Sequence, residues 1–488
     1  MLFNANVTCI LDNNTIHSYI LTYNIVYKQY IFSKKNHFTF YLTFDIMENE
    51  LVMKMKVKSI SLGCKVNTYE SEYIISSFKD KGYEIVEDNE KADIYVINTC
   101  SVTNMSDAKS RKMINHVINE NPNACIVVMG CMIEANRDYL NDGVSIIIGN
   151  KDKNKVVDLV EEYLEKKEKI RKLYSDFDSN FEDMFITNMP GRTRAFVKIQ
   201  DGCENFCSYC IIPYTRGKCR SKDKDTVIKE VQTLVDNGYK EVVLTGIHTG
   251  HYGEDGGTTF PELLKCIVNI KGLERLRISS IEVTELNDEF MKVLEENPVI
   301  VSHLHIPLQA GSDKILKSMN RKYDKDYFRK KISKIRSIRP DISITTDIIV
   351  GFPDEKEEDF NETLEFSKKI GFSKIHVFPY SRRHGTKADT MPNQIDEKVK
   401  KERVNRLLEV SKELEIKYLE SFIGKEVLVL IEKSIDGECN GHTGNYLNVK
   451  IKSQCERNSL VNVKVLERID NYLVGELVRN EDINKNIS

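Results

Sequence analysis

Cys203, Cys207 and Cys210 stand in a CxxxCxxC spacing inside GCENFCSYCIIPYTRG, residues 202–217. Three thiolates this close in sequence can hold three corners of one inorganic cluster, so the fold must present a single loop to a single point. Iron–sulfur clusters usually take four cysteines, and three leave one iron without a protein ligand. An open coordination position separates a reactive metal site from a structural one. On spacing alone, the alternative is structural zinc with Cys219 as fourth ligand.

A second triplet emerges when the chain is read as alternating elements. Residues 56–150 give strand Val57–Leu62, a helix from about Thr68 to Lys81, strand Asp93–Asn98, a helix from Thr103 to Asn119, then strands Cys125–Met129 and Val144–Ile148. This alternation predicts an α/β domain with a doubly wound parallel sheet. Cys64 in GCKVN, Cys100 in INTCSVTN and Cys131 in VMGCMIE each follow one of the first three strands. Loops after the carboxyl ends of parallel strands share one rim, where ligands bind. The three cysteines are therefore expected to converge on a second cluster, again with one free iron.

Residues 151–190 read as a linker, a charged helix over Lys151–Lys172 followed by a polar stretch. Residues 191–423 carry strands at Ala195–Gln200, Glu241–Gly246, Leu276–Ile281, His303–Leu308, Ile342–Val350 and Lys374–Pro379, with helical patterns between. Six β/α units are too few for a closed eight-fold barrel, so an open, partial (β/α)6 barrel is expected, with reactive groups at the strands' carboxyl ends. A long charged helix, roughly Gln394–Phe422, follows. Residues 424–488 hold short alternating strands broken by Gly, Asp and Asn, which predict a small all-β barrel. The first 55 residues show no firm periodicity and read as a weakly ordered extension or a misassigned start. They lack a signal-peptide pattern, and the apolar stretch Tyr19–Phe32 is too interrupted to span a membrane.

A chain of 488 residues has room for about three domains. Its net charge of −3 predicts no affinity for nucleic acid or membrane by itself. Between Arg192 and Lys222, however, seven Lys/Arg face only Asp201 and Glu204. A basic belt beside a reactive site suits a phosphate-bearing substrate, with Arg216, Lys218 and Arg220 as candidate RNA contacts. The alternative is a solvated loop, and Arg216 has a rival role in pairing inside the fold. Of the twelve cysteines, Cys9, Cys125, Cys219, Cys266, Cys439 and Cys455 are scattered and read as core fillers or bystanders. Two oxygen-sensitive clusters require a reducing compartment, hence a cytoplasmic protein.

The CxxxCxxC loop with Tyr209 before its last cysteine resembles the radical S-adenosylmethionine (SAM) enzymes, and IIPYTRG narrows the likeness to their methylthiotransferases. The resemblance covers about residues 56–485. It implies two 4Fe–4S clusters, a radical-forming one at Cys203, Cys207 and Cys210 and a sulfur-carrying one at Cys64, Cys100 and Cys131. It implies SAM held by Tyr209, Thr245, Gly246, Ser280, Glu282 and Gln309, at successive strand ends. It further implies a flavodoxin- or ferredoxin-like electron donor, a sulfur source and a tRNA substrate. The terminal barrel resembles the TRAM module, an OB-like RNA-binding barrel. With nine Lys/Arg against ten Asp/Glu over residues 424–488, its RNA contacts would rest on a local face or on aromatics such as Tyr446. GCKVNTYES and VFPYSRR look most like the branch acting at C2 of N6-threonylcarbamoyladenosine beside the anticodon. Lys65 and Val66 stand where the isopentenyladenosine branch usually has Gln-Met and the ribosomal-protein branch Pro-Lys. Ala310, Asp354 and His384 depart from the usual pattern. The competing class is a non-catalytic, metal-stabilised RNA-binding protein.

Overall fold

The strand Ile94–Thr99 is buried at every residue, and so is Cys125–Gly130. Continuous burial means that both faces of their sheet are covered, as parallel sheets require. Alternate residues supply two separate cores. Ile94, Val96, Val127 and Met129 pack on one face, and Tyr95, Ile97, Ile126 and Val128 on the other. The computed structural model describes residues 54–87, 90–174 and 180–478. It also describes two short antiparallel ladders, Lys28–Tyr30 with Tyr41–Thr43 and Ser33–Lys34 with His37–Phe38. The remainder of the expected extension lies outside the described residues.

The first sheet runs, in spatial order, Ile170–Lys172, Ile146–Ile148, Cys125–Gly130, Ile94–Thr99, Lys56–Ser61 and Glu84–Ile85, all parallel. Residues 151–172 depart from expectation. Their helix spans only Val156–Lys166, and Ile170–Lys172 joins the sheet as its edge strand. Lys167, in the left-handed region at φ 57°, ends the helix and turns the chain back toward that edge. Farther along the same stretch, Met184, Ile186 and Met189 are buried in the next core, so this segment packs instead of dangling.

Six parallel strands follow in two ladders. Arg194–Lys198 pairs with Glu241–Thr245, which pairs with Arg275–Ile278. His303–His305 pairs with Ser343–Val350, which pairs with Lys374–Pro379. Isolated parallel bridges occur at Leu276–Ile300 and Gln309–Ile348. Helices between the strands bury their apolar stripes in one large core. The capping is local: Asp223, Asn287 and Asp324 side chains each accept from a backbone amide in the first turn of the helix they precede.

The last five strands, Glu426–Ile435, Glu438–Thr443, Asn448–Ile451, Leu460–Ile469 and Tyr472–Leu477, close into a barrel with its own core. Cys439 and Cys455, expected as core fillers or bystanders, are both buried in that core with their Cα atoms 6.0 Å apart. The barrel is fastened to the parallel strands by Arg275, which donates to the carbonyls of His442 (2.9 Å) and Leu428 (2.7 Å). Among the described residues, no helix is long and apolar enough to cross a membrane.

Candidate active site

The three strands that precede Cys64, Cys100 and Cys131 are adjacent in the sheet, with Ser61 opposite Asn98 and Asn98 opposite Met129. Cys64, Cys100 and Cys131 therefore leave one rim side by side. Gly63, with φ 108°, makes the approach possible. A Cβ there would stand 2.6 Å from Cys100 Cβ and 2.8 Å from its Sγ. Cys64 is exposed, whereas Cys100 and Cys131 are buried. Cys64 Sγ donates to Asn67 Oδ1 at 3.6 Å, and Asn150 Nδ2 donates to Cys131 Sγ at 3.4 Å. Burial pushes the Cys100 thiol up to about 11. Metal binding at such a thiol releases its proton.

Cys203, Cys207 and Cys210 lie in the loop between the strand Arg194–Lys198 and the short helix Ile212–Arg216. The Cys203 amide donates to Gly217 O (3.0 Å) and the Cys210 amide to Cys207 O (2.9 Å), which curls the loop on itself. Gly202, with φ 78°, permits this, because a Cβ would meet Lys218 O at 1.8 Å. Ser208 Oγ donates to Ser318 O at 2.7 Å and anchors the middle. Arg321 Nη1 donates to Cys207 Sγ at 3.2 Å, while its Nη2 bonds the Glu282 carboxylate. His248 Nδ1 lies 3.7 Å from Cys203 Sγ. Burial pushes the Cys210 thiol up to about 12, and the neighbouring Cys207 adds to it.

Donor spacing bears on what these triplets can hold. Among the described residues, neither triplet brings its three Sγ atoms within 4.8 Å of one another, as ligands of one tetrahedral ion would be. A cluster that takes each cysteine at a different iron needs the wider spacing. Cys219 does not complete a zinc site. Its sulfur accepts from Gln200 Nε2 at 3.2 Å and groups with His251 and Glu254. Electrostatics agree with a cluster. Glu70 and Asp201 are buried with Lys153, Lys198, Arg216 and Arg220, so cations outnumber these two carboxylates beside the Cys64 triplet. A thiolate-ligated cluster would answer that charge.

The basic belt is mostly interior, which corrects two of the expected RNA contacts. Arg216 is fully buried, donating from Nη1 to Glu70 Oε1 (3.0 Å) and Asp201 Oδ1 (3.1 Å) and from Nη2 to Asn67 Oδ1 (2.9 Å). Arg220 is buried with Nη2 3.8 Å from Asp201. Lys198 and Lys222 are buried as well. Of the three candidates, Lys218 alone is exposed. The physical reason is that Glu70 and Asp201 must be neutralised where they are buried, and the cations that the fold brings beside them do it.

The residues expected to hold SAM sit at neighbouring strand ends. Thr245 is buried at the last position of its strand, and Gly246 passes close to Gln200, where a Cβ would lie 3.0 Å from Gln200 Cβ. Ser280 and Glu282 are half-buried after Arg275–Ile278. Gln309 adopts φ 68° and exchanges backbone bonds with Asp347 O (2.8 Å) and Ile349 N (2.9 Å). Tyr209 and Glu282 both bear on Arg321. Sequence reasoning missed Arg321, His248, Asn150 and Glu70. A signal existed for the last: Asn67, Glu70 and Ser71 recur on the apolar face of the helix Lys65–Asp80, where polar residues need buried partners.

A cavity of about 510 Å³ opens beside Cys64, lined by Lys65, by Arg277, His303, His305 and His376 from the parallel strands, and by Tyr446. Tyr446, considered above for RNA, stacks on His442 (5.0 Å) with the Arg277 guanidinium 4.7 Å from its ring centre. It therefore belongs to the wall of this cavity.

Parallel strands carrying a CxxxCxxC loop at a strand's carboxyl end define the radical SAM class, and residues 197–367 match the radical SAM superfamily. Residues 56–149 match Uncharacterized protein family UPF0004. A solved radical SAM methyltransferase, TsrM from Kitasatospora setae, shares the fold with TM-score 0.51 over 66% of this chain and 72% of its own, at 12% identity. The chain belongs to the radical SAM tRNA methylthiotransferase family. It is 43% identical to threonylcarbamoyladenosine tRNA methylthiotransferase MtaB of Bacillus subtilis (strain 168), over 86% of this chain and 95% of the relative. It is 36% identical to tRNA-2-methylthio-N(6)-dimethylallyladenosine synthase of Thermoanaerobacter sp. (strain X514), over 85% and 91%.

Proposed function

We propose that this chain adds a methylthio group to C2 of N6-threonylcarbamoyladenosine in tRNA. The observation that carries the reading is the joining of two cysteine triplets through one buried ion network, in a chain 43% identical to an enzyme of that name. Cys203, Cys207 and Cys210 would hold one 4Fe–4S cluster, and Cys64, Cys100 and Cys131 the other. When bound, the clusters and SAM supply a carbon radical and a sulfur carrier, chemistry that no side chain provides for an unactivated C2–H bond.

The chain's own residues position and insulate. Arg321 orients Cys207 and ties it to Glu282, which we assign to the SAM site with Tyr209, Thr245, Gly246, Ser280 and Gln309. The six parallel strands are read as an open (β/α)6 barrel whose carboxyl ends face the reaction. The terminal barrel is read as a TRAM-like RNA-binding module and Lys218 as a phosphate contact. A flavodoxin- or ferredoxin-like reductant, a sulfur source and a cytoplasmic setting complete the reading. Mass spectrometry of tRNA nucleosides from a deletion strain tests it. The methylthio derivative of threonylcarbamoyladenosine should vanish and return with the wild-type gene. Loss of the dimethylallyl derivative instead would move the enzyme to the other branch.

A further inference from the structure

The cavity beside Cys64 sets charged side chains, Lys65, Arg277, Lys374 and Glu415, and three histidines of the parallel strands among apolar surface. Most of its charged lining is already satisfied. Arg277 donates to Glu241 Oε1 (2.6 Å) and Gly444 O (3.2 Å). Lys374 pairs with Glu415 at 3.0 Å. His305 holds Thr345 Oγ1 through Nδ1 (2.9 Å) and Asp347 through Nε2 (3.3 Å). His376 packs against the His305 ring at 5.8 Å, and two further groups lack partners. Lys65 makes no hydrogen bond or ion pair among the described residues, although it lines the cavity. His303 is 7% exposed and its Nδ1 has no partner, while its Nε2 lies 3.4 Å from Thr345 Oγ1.

We propose that Lys65 and His303 form a specificity subsite for the threonylcarbamoyl group, with Lys65 Nζ binding its carboxylate and His303 Nδ1 its hydroxyl or ureido group. This rests on the function proposed above and deepens it. The placement suits the substrate's chemistry. C2 and N6 lie on the same edge of adenine, so a base presenting C2 to a sulfur carrier held by Cys64, Cys100 and Cys131 would have room for its N6 substituent in the adjoining cavity that Lys65 lines. Asp347 and Glu415, the carboxylates nearby, are each engaged by a cation or a histidine and leave Lys65 uncompensated. A substrate without the carboxylate covers Lys65 and the His303 imidazole nitrogen and leaves both unpaired, which is how a site built for hydrogen bonds rejects an analogue that lacks them.

The test measures binding of two anticodon stem-loops to the reconstituted holoenzyme, one carrying N6-threonylcarbamoyladenosine and one its carboxamide. The wild type should prefer the carboxylate by about ten- to hundredfold, the range of one hydrogen bond to a charged group. Lys65→Met should bring the preference close to unity, and Lys65→Arg should keep most of it. Because Lys65 holds no structural bond, thermal unfolding of both variants should match the wild type. A wild type that binds both stem-loops equally, or a Lys65→Met protein that keeps the full preference, overturns the subsite while the methylthiotransferase reading stands. A wild-type holoenzyme that leaves threonylcarbamoyladenosine tRNA unmodified but acts on dimethylallyladenosine tRNA overturns both.

Discussion

Arg216 Nη1 donates to Glu70 Oε1 at 3.0 Å, and neither residue is exposed. The guanidinium comes from the loop after Cys210, and the carboxylate from the helix after Cys64. One ion pair therefore couples the two cysteine triplets mechanically. Asn150 adds a second link, since its Nδ2 reaches both Cys131 Sγ (3.4 Å) and Thr215 O (2.8 Å).

Breaking that pair should cost the fold first. Arg216→Met removes one of the two cations that Glu70 and Asp201 share, Lys198 being the other, and leaves buried Asn67, Glu70 and Asp201 oxygens short of a donor, a change worth about 1–3 kcal/mol. The urea midpoint should fall accordingly. The salt dependence of tRNA binding should not change, because a fully buried arginine meets no phosphate.

Acid should weaken the same network. Burial works to raise the Glu70 carboxyl, but Arg216, Lys153 and Lys198 outweigh it and hold it well below the usual range. Asp201 behaves alike under Arg216, Lys198 and Arg220. A folded pKa below the unfolded value of about 4 means that the unfolded chain binds more protons as pH drops. Stability from these groups is complete above about pH 5 and is lost progressively below it. Urea midpoints measured from about pH 6 to pH 3 should decline, and a flat profile would contradict the network.

The triplets should separate by readout. Cys203→Ala should remove about one cluster's iron and abolish SAM cleavage. Cys64→Ala should remove a similar amount yet retain some uncoupled cleavage, with no methylthiolated product. Iron analysis and product assays on anaerobically reconstituted protein decide this. Full product from Cys64→Ala would sink the sulfur-carrier assignment.

Lys218 and Arg220, two residues apart, should behave differently. Lys218→Ala should lower the log–log salt slope of tRNA binding by about 0.9, the value of one phosphate contact, with little change in stability. Arg220→Ala should lower the melting temperature, since that side chain is buried beside Asp201. Equal salt slopes for wild type and Lys218→Ala would make the loop a solvated surface.

Much of this site was legible before any coordinates. Cysteine spacing is local, and hydrophobic alternation places strand exits, so both triplets and the order of elements could be read directly. The charges could not. Arg216 and Lys218 stand in one basic run, and composition treats them alike, yet one is fully buried and the other exposed. The edge strand Ile170–Lys172 was hidden for a related reason, because three residues of mixed polarity carry no period and gain strand character only by pairing with Ile146–Ile148.

The sequence by itself determined the ligand chemistry: which thiols exist, how they are spaced and which strands deliver them. Only the tertiary structure decided where charge is spent. Electrostatic partners are chosen across long separations, as between Glu70 and Arg216, and a cation's role depends on whether burial has already given it a carboxylate.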